Sequence, residues 1–220
     1  MIACGDGRNR WYGSSSLSHL RRFFAFGLTS TYTKADPKRS PVRTMALFSL
    51  SPHSTVTVKP QCLGHTWLSI DNQSGHSVYI KDHEIKHDEM ITFSVWAVSD
   101  LPGLLFNLEE AYISTYDRYV GRKSLSVNIG EPQLKIIEAY IDQKDKWSPG
   151  KNCSYWSVRL WNEVVDEAFG LKTQTLFYTP KRLERSFCEF DCVEADKDFS
   201  RAGHIFCYRD GVRTELELCS

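Results

Sequence analysis

The stretch 149–156 constrains the fold most, because it predicts the start of a helix with a cysteine at its first position. Its first two residues, Pro-Gly, are a turn signal. Asn152 follows, and an asparagine there can cap a helix by accepting a backbone N–H of the first turn. Gly170 is placed to end the helix. Apolar side chains recur with helical spacing at Cys153, Trp156, Leu160, Val164 and Ala168.

Cys153 has two interpretations at this point. A thiol at the first position of a helix lies at the positive end of the helix dipole, beside unpaired N–H groups, and both favour the thiolate. Cysteine is also a small residue that is common in buried positions, so a helix start packed into a core would suit it equally well. A nucleophilic role requires a base elsewhere in the chain.

Charge is unevenly distributed along the sequence. The 220 residues carry 27 Lys and Arg against 27 Asp and Glu, yet residues 1–44 hold eight basic and two acidic residues, a net of +6. Basic arms of this kind contact nucleic acid, membranes or partners in some proteins. A solvated leader explains the pattern as well, and we favour it. We therefore expect residues 1–60 to form an irregular basic arm, with no nucleic-acid partner.

The remaining chain, residues 61–220, predicts a single domain of α+β class. Alternating β-rich segments begin at His65 and at Met90, and a helical pattern covers residues 131–144. Residues 100–121 also read as a helix. Asp210-Gly211 predicts a tight C-terminal hairpin, because these residues tolerate positive φ angles. We expect an antiparallel sheet packed against helices, one of which carries Cys153.

Membrane and export signals are missing from the sequence. No apolar run approaches 18 residues, so no transmembrane segment is expected. The short apolar run 23–28 lies behind a polar start and does not resemble the core of a secretory signal. Synthesis in the cytoplasm without a signal peptide is therefore expected. Whether Met45 is the natural start is left open.

His65 is the first choice among seven histidines for a base, since it begins a strand directly after Gly64. A rigid strand presents an imidazole well, and the imidazole in turn needs a polar partner. If Gln73-Ser74 forms a two-residue hairpin loop, Asp82 lies opposite His65. His76 shares that face nearer the turn and is the alternative. A surface histidine on a strand is the simpler explanation if His65 acts alone.

Two short motifs carry a resemblance to a known family. Gly64-His65-Thr66-Trp67 on a strand, followed by Asn152-Cys153-Ser154-Tyr155-Trp156 on a helix, resembles the permuted branch of NlpC-type papain-like cysteine hydrolases. In that branch the histidine strand precedes the cysteine helix, and the match covers residues 61–170.

The resemblance implies Cys153 as nucleophile, His65 as general base and acid, and the backbone N–H of Cys153 in the oxyanion hole. It implies no cofactor and no metal. The third polar member has no clear family motif, so Asp82, His76 and a simple dyad are all open. Asp82 is electrostatically the better partner for an imidazolium.

Within that branch the chain is most similar to type VI secretion effectors that attack cell-wall peptides. The resemblance implies an amidase or endopeptidase acting on peptidoglycan peptides in the periplasm of a target cell. It also implies a secretion spike or tube protein as carrier and an immunity protein as partner. Two alternatives remain: an acyltransferase or thioesterase with the same catalytic pair, acting on lipid or acyl substrates, and a non-catalytic binding module.

A zinc metalloprotease is a further alternative, because residues 83–87 match the H-E-x-x-H motif through His83, Glu84 and His87. That motif needs a helix to bring both histidines to one face. Here it lies between two strands, and a solvated connection is the preferred interpretation. A second soft-ligand set is less favoured, because two of its members would diverge within one strand. It comprises Cys188, Cys192, His204 and Cys207.

Overall fold

The computed structural model describes residues 48–55, 64–98, 101–116, 119–143, 147–148, 150–171, 178–191, 193–199 and 203–217. Residues 43–220 form one compact unit. The strands are β1 Phe48–Thr55, β2 His65–Asn72, β3 Val78–Ile80, β4 His83–Ile85, β5 Met90–Val98, β6 Leu101–Phe106, β7 Lys123–Leu125, β8 Val127–Ile129, β9 Val193–Ala195, β10 Ile205–Arg209 and β11 Val212–Leu216. The α-helices are α1 Leu108–Tyr116, α2 Glu131–Gln143, α3 Cys153–Val164 and α4 Pro180–Phe187.

Nine of these strands form one antiparallel sheet in the order β11-β10-β6-β5-β2-β1-β7-β9, and β8 also pairs with β1. Strand β2 lies in the middle, between β1 and β5, with Leu68 opposite Phe93. The α+β class with an antiparallel sheet is therefore confirmed. The central position of β2 matters because His65 is its first residue.

The two faces of β2 differ in chemistry because successive side chains point to opposite sides of a sheet. One face carries Leu68 and Ile70 into a large apolar core with α2, α3 and α4. Trp156 of α3 packs edge-on against Phe93 on this side, with ring centroids 5.9 Å apart. The other face carries Trp67 and polar side chains, and α1 lies against it. The catalytic candidates Cys153 and His65 therefore lie between the sheet and the helices that cover its two faces.

Strand β1 extends the sheet into the region expected to be an irregular arm, so the boundary at residue 60 is corrected. Its eight residues are buried and pair along their full length with β2. Pro52 lies within this strand, opposite Leu68, and has no backbone N–H to donate. On the other edge of β1, however, β8 pairs with 48–50 and β7 with 53–54, so Pro52 falls at the gap between them. A proline without an N–H is tolerated there.

The expected hairpin between β2 and residues 76–80 is not formed. Strand β3 has only three residues and pairs with β4 in a separate two-stranded sheet, with Ile80 opposite His83. Strand β2 pairs instead with the first four residues of β5, whose alternation of apolar and polar side chains matches its own. The register that placed Asp82 opposite His65 is therefore wrong.

Residues 101–106 form β6, although a helix was expected from residue 100. Leu104, Leu105 and Phe106 are fully buried between β5 and β10, so both faces of this strand are covered. Gly103 has φ +133°, and a Cβ there would lie 2.7 Å from the carbonyl oxygen of Tyr208. The helix α1 begins only at Leu108. An apolar run covered on both sides does not show strand periodicity.

Two other elements match their predictions. Helix α2 covers residues 131–143, within the predicted range, and buries Leu134, Ile137 and Ile141 on one face. The C-terminal hairpin joins β10 to β11 through Asp210 and Gly211, at φ 52° and 80°. Among the residues described here, no helix is long and apolar enough to cross a membrane.

Candidate active site

The start of α3 has the predicted cap. Asn152 accepts the backbone N–H of Tyr155 at 3.0 Å, and its amide nitrogen donates to the carbonyl of Tyr178 at 2.7 Å. These bonds fix the first turn and place Cys153 at the first helical position. The helix ends at Val164, earlier than expected from Gly170, and a single 3-10 turn Glu167–Phe169 follows.

The thiol of Cys153 and the ring of His65 are hydrogen-bonded to each other, across 88 residues of sequence. Backbone N–H groups of Thr66 and Ser154 also donate to the sulfur. Burial alone would raise the pKa of the thiol, but the charge and hydrogen bond of His65 outweigh it, so the pKa is lowered. A lowered thiol pKa is the property that makes a cysteine nucleophilic at neutral pH.

His65 shows the complementary change. Burial lowers its pKa, but Cys153 and then Glu109 act more strongly in the other direction and raise the pKa to about 9. An imidazole is charged below its pKa, so His65 is an imidazolium at neutral pH. A thiolate and an imidazolium in contact stabilise each other. The contact therefore favours the thiolate form of Cys153 and the charged form of His65.

Glu109, on the first turn of α1, is the carboxylate that holds His65. Its Oε1 accepts from Nε2 of His65 at 2.9 Å and from Nε1 of Trp96 at 2.8 Å. Its Oε2 accepts from the hydroxyl of Thr92 at 3.1 Å. The Glu109 side chain is fully buried, and that of His65 is 9 % exposed. Since Nε2 faces Glu109, Nδ1 is the ring nitrogen left for the thiol of Cys153.

Aromatic rings restrict the His65 imidazole further. Trp96 lies 4.3 Å away between ring centroids, and Trp67 stacks at 5.8 Å with an interplanar angle of 16°. Tyr119 completes the enclosure at 6.0 Å. Indole and phenol faces attract a cation, so these contacts favour the protonated ring. The same aromatic contacts therefore fix the orientation of the His65 ring and favour its charged form.

Gly64 is required at the entry to β2. It has φ +83°, and a Cβ would lie 2.4 Å from the carbonyl oxygen of Thr55 and 3.1 Å from Pro180. The approaching groups are the end of β1 and the start of α4, and together they fix where His65 begins.

The two residues expected to partner His65 lie elsewhere. Asp82 is in the turn between β3 and β4, where its carboxylate is 3.8 Å from Arg213. His76 is exposed in the turn after β2, and its Nδ1 is 3.2 Å from the carbonyl of Ser74. Glu109 takes the position assigned to them, so the third-member assignment to Asp82 or His76 is corrected.

The H-E-x-x-H segment does not form a helix. His83 and Glu84 lie in β4, and His87 follows it. The ring of His83 packs against Phe206 at 4.7 Å, while Nδ1 of His87 accepts the N–H of Gly75 at 3.2 Å. The two histidines therefore have different neighbours. The described ranges contain no group of three metal-ligand side chains; Cys192, from the second soft-ligand set, falls outside them.

Glu109 is the functional candidate that sequence reasoning missed. Acidic residues in the first turn of a helix are common, since they complement the helix dipole. Two adjacent glutamates therefore carry no signal by themselves. The signal lies in burial: Glu109 and Glu110 are both fully buried, and carboxylates are rarely buried without a partner. The burial of Glu109 could not be inferred from the sequence, because residues 101–106 were expected to be helical and the start of α1 was therefore misplaced.

Searches against protein-family models, curated proteins and solved structures gave no match.

Proposed function

We propose that this protein is a cysteine hydrolase of the permuted papain-like type, with Cys153 as nucleophile, His65 as general base and acid, and Glu109 as the group that orients the imidazole. The observation that carries the proposal is the contact between thiol and imidazole, with the shifted pKa values that follow from it. A nucleophile, a base and an orienting third group within hydrogen-bond reach are the general signature of covalent catalysis.

In the first half of the reaction, the Cys153 thiolate attacks an amide carbonyl carbon and forms a tetrahedral oxyanion. The backbone N–H of Cys153, at the helix N-terminus, donates to this oxygen. The C–N bond then breaks, and imidazolium His65 gives its proton to the departing amine. The product is a thioester between the acyl group and Cys153, with His65 neutral.

In the second half, neutral His65 takes a proton from water while the resulting hydroxide attacks the thioester. The C–S bond breaks, the carboxylic acid leaves, and the thiolate–imidazolium pair is restored. Glu109 holds Nε2 throughout by its hydrogen bond, so that Nδ1 faces the reacting atoms. The third group of a triad acts in this way, by fixing the tautomer and stabilising the imidazolium.

For the substrate we propose a peptide amide bond of bacterial peptidoglycan, with the protein acting as an antibacterial type VI secretion toxin. Similarity of the Gly64–Trp67 and Asn152–Trp156 motifs to such effectors supports this choice. The carrier and partners proposed on the same ground are a secretion spike or tube protein and a cognate immunity protein. The protein would be made in the cytoplasm and act in the target-cell periplasm.

The decisive experiment compares Cys153→Ala and His65→Ala with the unaltered protein in digestion of purified muropeptides and in toxicity after export to the periplasm. Both variants are expected to lose cleavage and toxicity while keeping their circular dichroism spectra. Cys207→Ala is the matched control, because Cys207 is also unpaired and half-buried, and it should retain both. Full cleavage by Cys153→Ala would refute the proposal.

A substrate panel separates the alternatives that share the catalytic pair. Deacylation of lipids or acyl thioesters, with muropeptides untouched, would replace the peptidoglycan assignment by an acyltransferase or thioesterase. A Cys153 that iodoacetamide does not modify at neutral pH would favour a binding module instead.

A further inference from the structure

A chain of three buried hydroxyl groups connects the nucleophile helix to the strand of the base. The hydroxyl of Ser154 lies 2.8 Å from that of Thr66, which lies 3.3 Å from that of Ser54. Ser54 in turn donates to the carbonyl oxygen of Pro180 at 2.8 Å. All three hydroxyl side chains belong to fully buried residues. The chain thus crosses from α3 through β2 and β1 to the start of α4.

The donor and the acceptor in each of these hydrogen bonds are determined by the last acceptor, the carbonyl oxygen of Pro180. A carbonyl oxygen only accepts, so Ser54 uses its one hydroxyl hydrogen on Pro180. The oxygen of Ser54 must then accept from Thr66, whose only hydroxyl hydrogen is used in turn. Ser154 must therefore donate to Thr66. One backbone carbonyl fixes all three hydroxyl orientations.

The three hydroxyl groups lie next to the catalytic pair, and this position indicates their role. Ser154 follows Cys153 and Thr66 follows His65, so one 2.8 Å bond joins the residues next to the nucleophile and the base. The backbone N–H groups of the same two residues, Ser154 and Thr66, donate to the Cys153 sulfur. A shift of α3 along β2 would lengthen the hydroxyl bond and the thiol–imidazole contact together.

We propose that Thr66, with Ser154 and Ser54, is a positioning residue that sets the distance and alignment between the Cys153 thiol and the His65 ring. None of these hydroxyl groups takes part in bond making or breaking. Their effect is on the fraction of Cys153 held as thiolate, because the thiolate depends on contact with His65. The inference concerns the site of the proposed hydrolase, yet it is tested by thiol chemistry that needs no substrate.

The test measures the rate of iodoacetamide alkylation at Cys153 from pH 5 to 10, with the modified peptide quantified by mass spectrometry. Thr66→Val keeps the side-chain shape and removes the hydroxyl. We expect alkylation at pH 6 to fall about tenfold, because a rise of about one unit in the thiol pKa lowers the thiolate fraction tenfold at a pH below that pKa. The pH midpoint should rise in the same variant. Thr66→Ser restores the hydroxyl and should restore both.

Ser51→Ala is the matched control. The hydroxyl of Ser51 is also 2.8 Å from a second serine hydroxyl, that of Ser126, and Ser51 is fully buried. It lies on the same strand as Ser54 but three residues away, so it faces the opposite side of the sheet. Alkylation of the Ser51→Ala protein should stay within about twofold of the unaltered rate, because the thiol–imidazole contact is untouched.

Ser154→Ala covers the case in which Thr66→Val does not fold. It removes only the first donor, so no buried donor is left without an acceptor, and a similar rise of the pH midpoint is expected. The double variant should lose no more than the larger single loss, because both changes break one bond. An unaltered pH profile in Ser154→Ala or in folded Thr66→Val would overturn the inference. If the variants change alkylation as expected but the unaltered protein does not cleave muropeptides, the inference stands and only the proposed function is refuted.

Discussion

Glu109→Gln isolates the charge of the orienting carboxylate from its geometry. The amide oxygen can take the place of Oε1 and accept from His65 and Trp96, at 2.9 and 2.8 Å in the unaltered protein. The amide nitrogen then occupies the place of Oε2 and donates to the hydroxyl of Thr92. All three hydrogen bonds survive, so the fold should too. Only the negative charge beside the imidazolium is lost.

The expected magnitude follows from the difference between two kinds of hydrogen bond. Hydrogen bonds to a charged group contribute about 1.5–3 kcal/mol, whereas neutral ones contribute about 1 kcal/mol. The difference, roughly 1–2 kcal/mol, corresponds to about one pKa unit at about 1.4 kcal/mol per unit. The His65 pKa, raised to about 9 in the unaltered protein, should therefore fall in the variant.

The consequence for catalysis depends on pH. A histidine whose folded pKa is raised stays protonated until the pH rises through that value, so loss of the imidazolium limits activity on the alkaline side. At pH 9 about half of His65 is protonated in the unaltered protein. With a pKa lower by about one unit the protonated fraction is about one-tenth, and the rate should fall about fivefold. Near pH 7 the loss of imidazolium is small.

The assay follows the ring nitrogens of His65 by NMR in protein with 15N-labelled histidine, together with the pH profile of Cys153 alkylation. Glu138→Gln is the control, because Glu138 accepts one hydrogen bond at 2.9 Å from the backbone of Lys81, away from the site. Its His65 titration should be unchanged. A Glu109→Gln protein that folds normally but titrates His65 like the unaltered protein would refute the role given to the carboxylate.

Two further predictions concern the scaffold. Gly64→Ala should lower both thermal stability and Cys153 alkylation, because its Cβ would meet the Thr55 carbonyl oxygen at 2.4 Å; Gly75→Ala, with φ +80° but open space around it, is the control, and equal losses would contradict the steric cause. Burial, Lys197 and Arg122 hold the pKa of His53 well below its usual value. A histidine kept neutral in the fold costs stability as pH falls below about 6.5, with a slope of up to about 1.4 kcal/mol per pH unit. His53→Gln should remove that slope from urea-unfolding free energies measured between pH 4 and 7, and an unchanged slope would contradict the assignment.

The sequence was informative wherever local chemistry determined the structure. Asn152 predicted a helix cap from its side chain alone, and the C-terminal hairpin followed from the positive φ angles that Asp210 and Gly211 tolerate. The periodicity of α2 identified its buried face because only one side of that helix is covered. Each of these features depends on residues that are close together in the sequence.

The sequence failed where pairing between distant segments decided the outcome. The register of β2 is set by eight residue pairs with β1 and four with β5, whereas the three residues of β3 pair with β4. Asp82 was assigned on a mistaken register. Residues 101–106 showed no strand signal, because Leu104, Leu105 and Phe106 are buried on both faces and the alternation that marks a strand is lost. With the strand missing, the start of α1 and the burial of Glu109 could not be predicted.

The site draws on both layers of the fold, and this explains why Glu109 and the hydroxyl chain lie on opposite sides of β2. His65 and Thr66 are neighbours in a strand, so their side chains point to opposite faces. Thr66 faces the layer of α3 and binds Ser154, while His65 receives Glu109 from the layer of α1. Cys153 can still reach His65 because α3 and β2 both begin there, at the edge where the faces meet. The hydroxyl chain fixes the helix, the carboxylate fixes the ring, and the thiol–imidazole contact requires both.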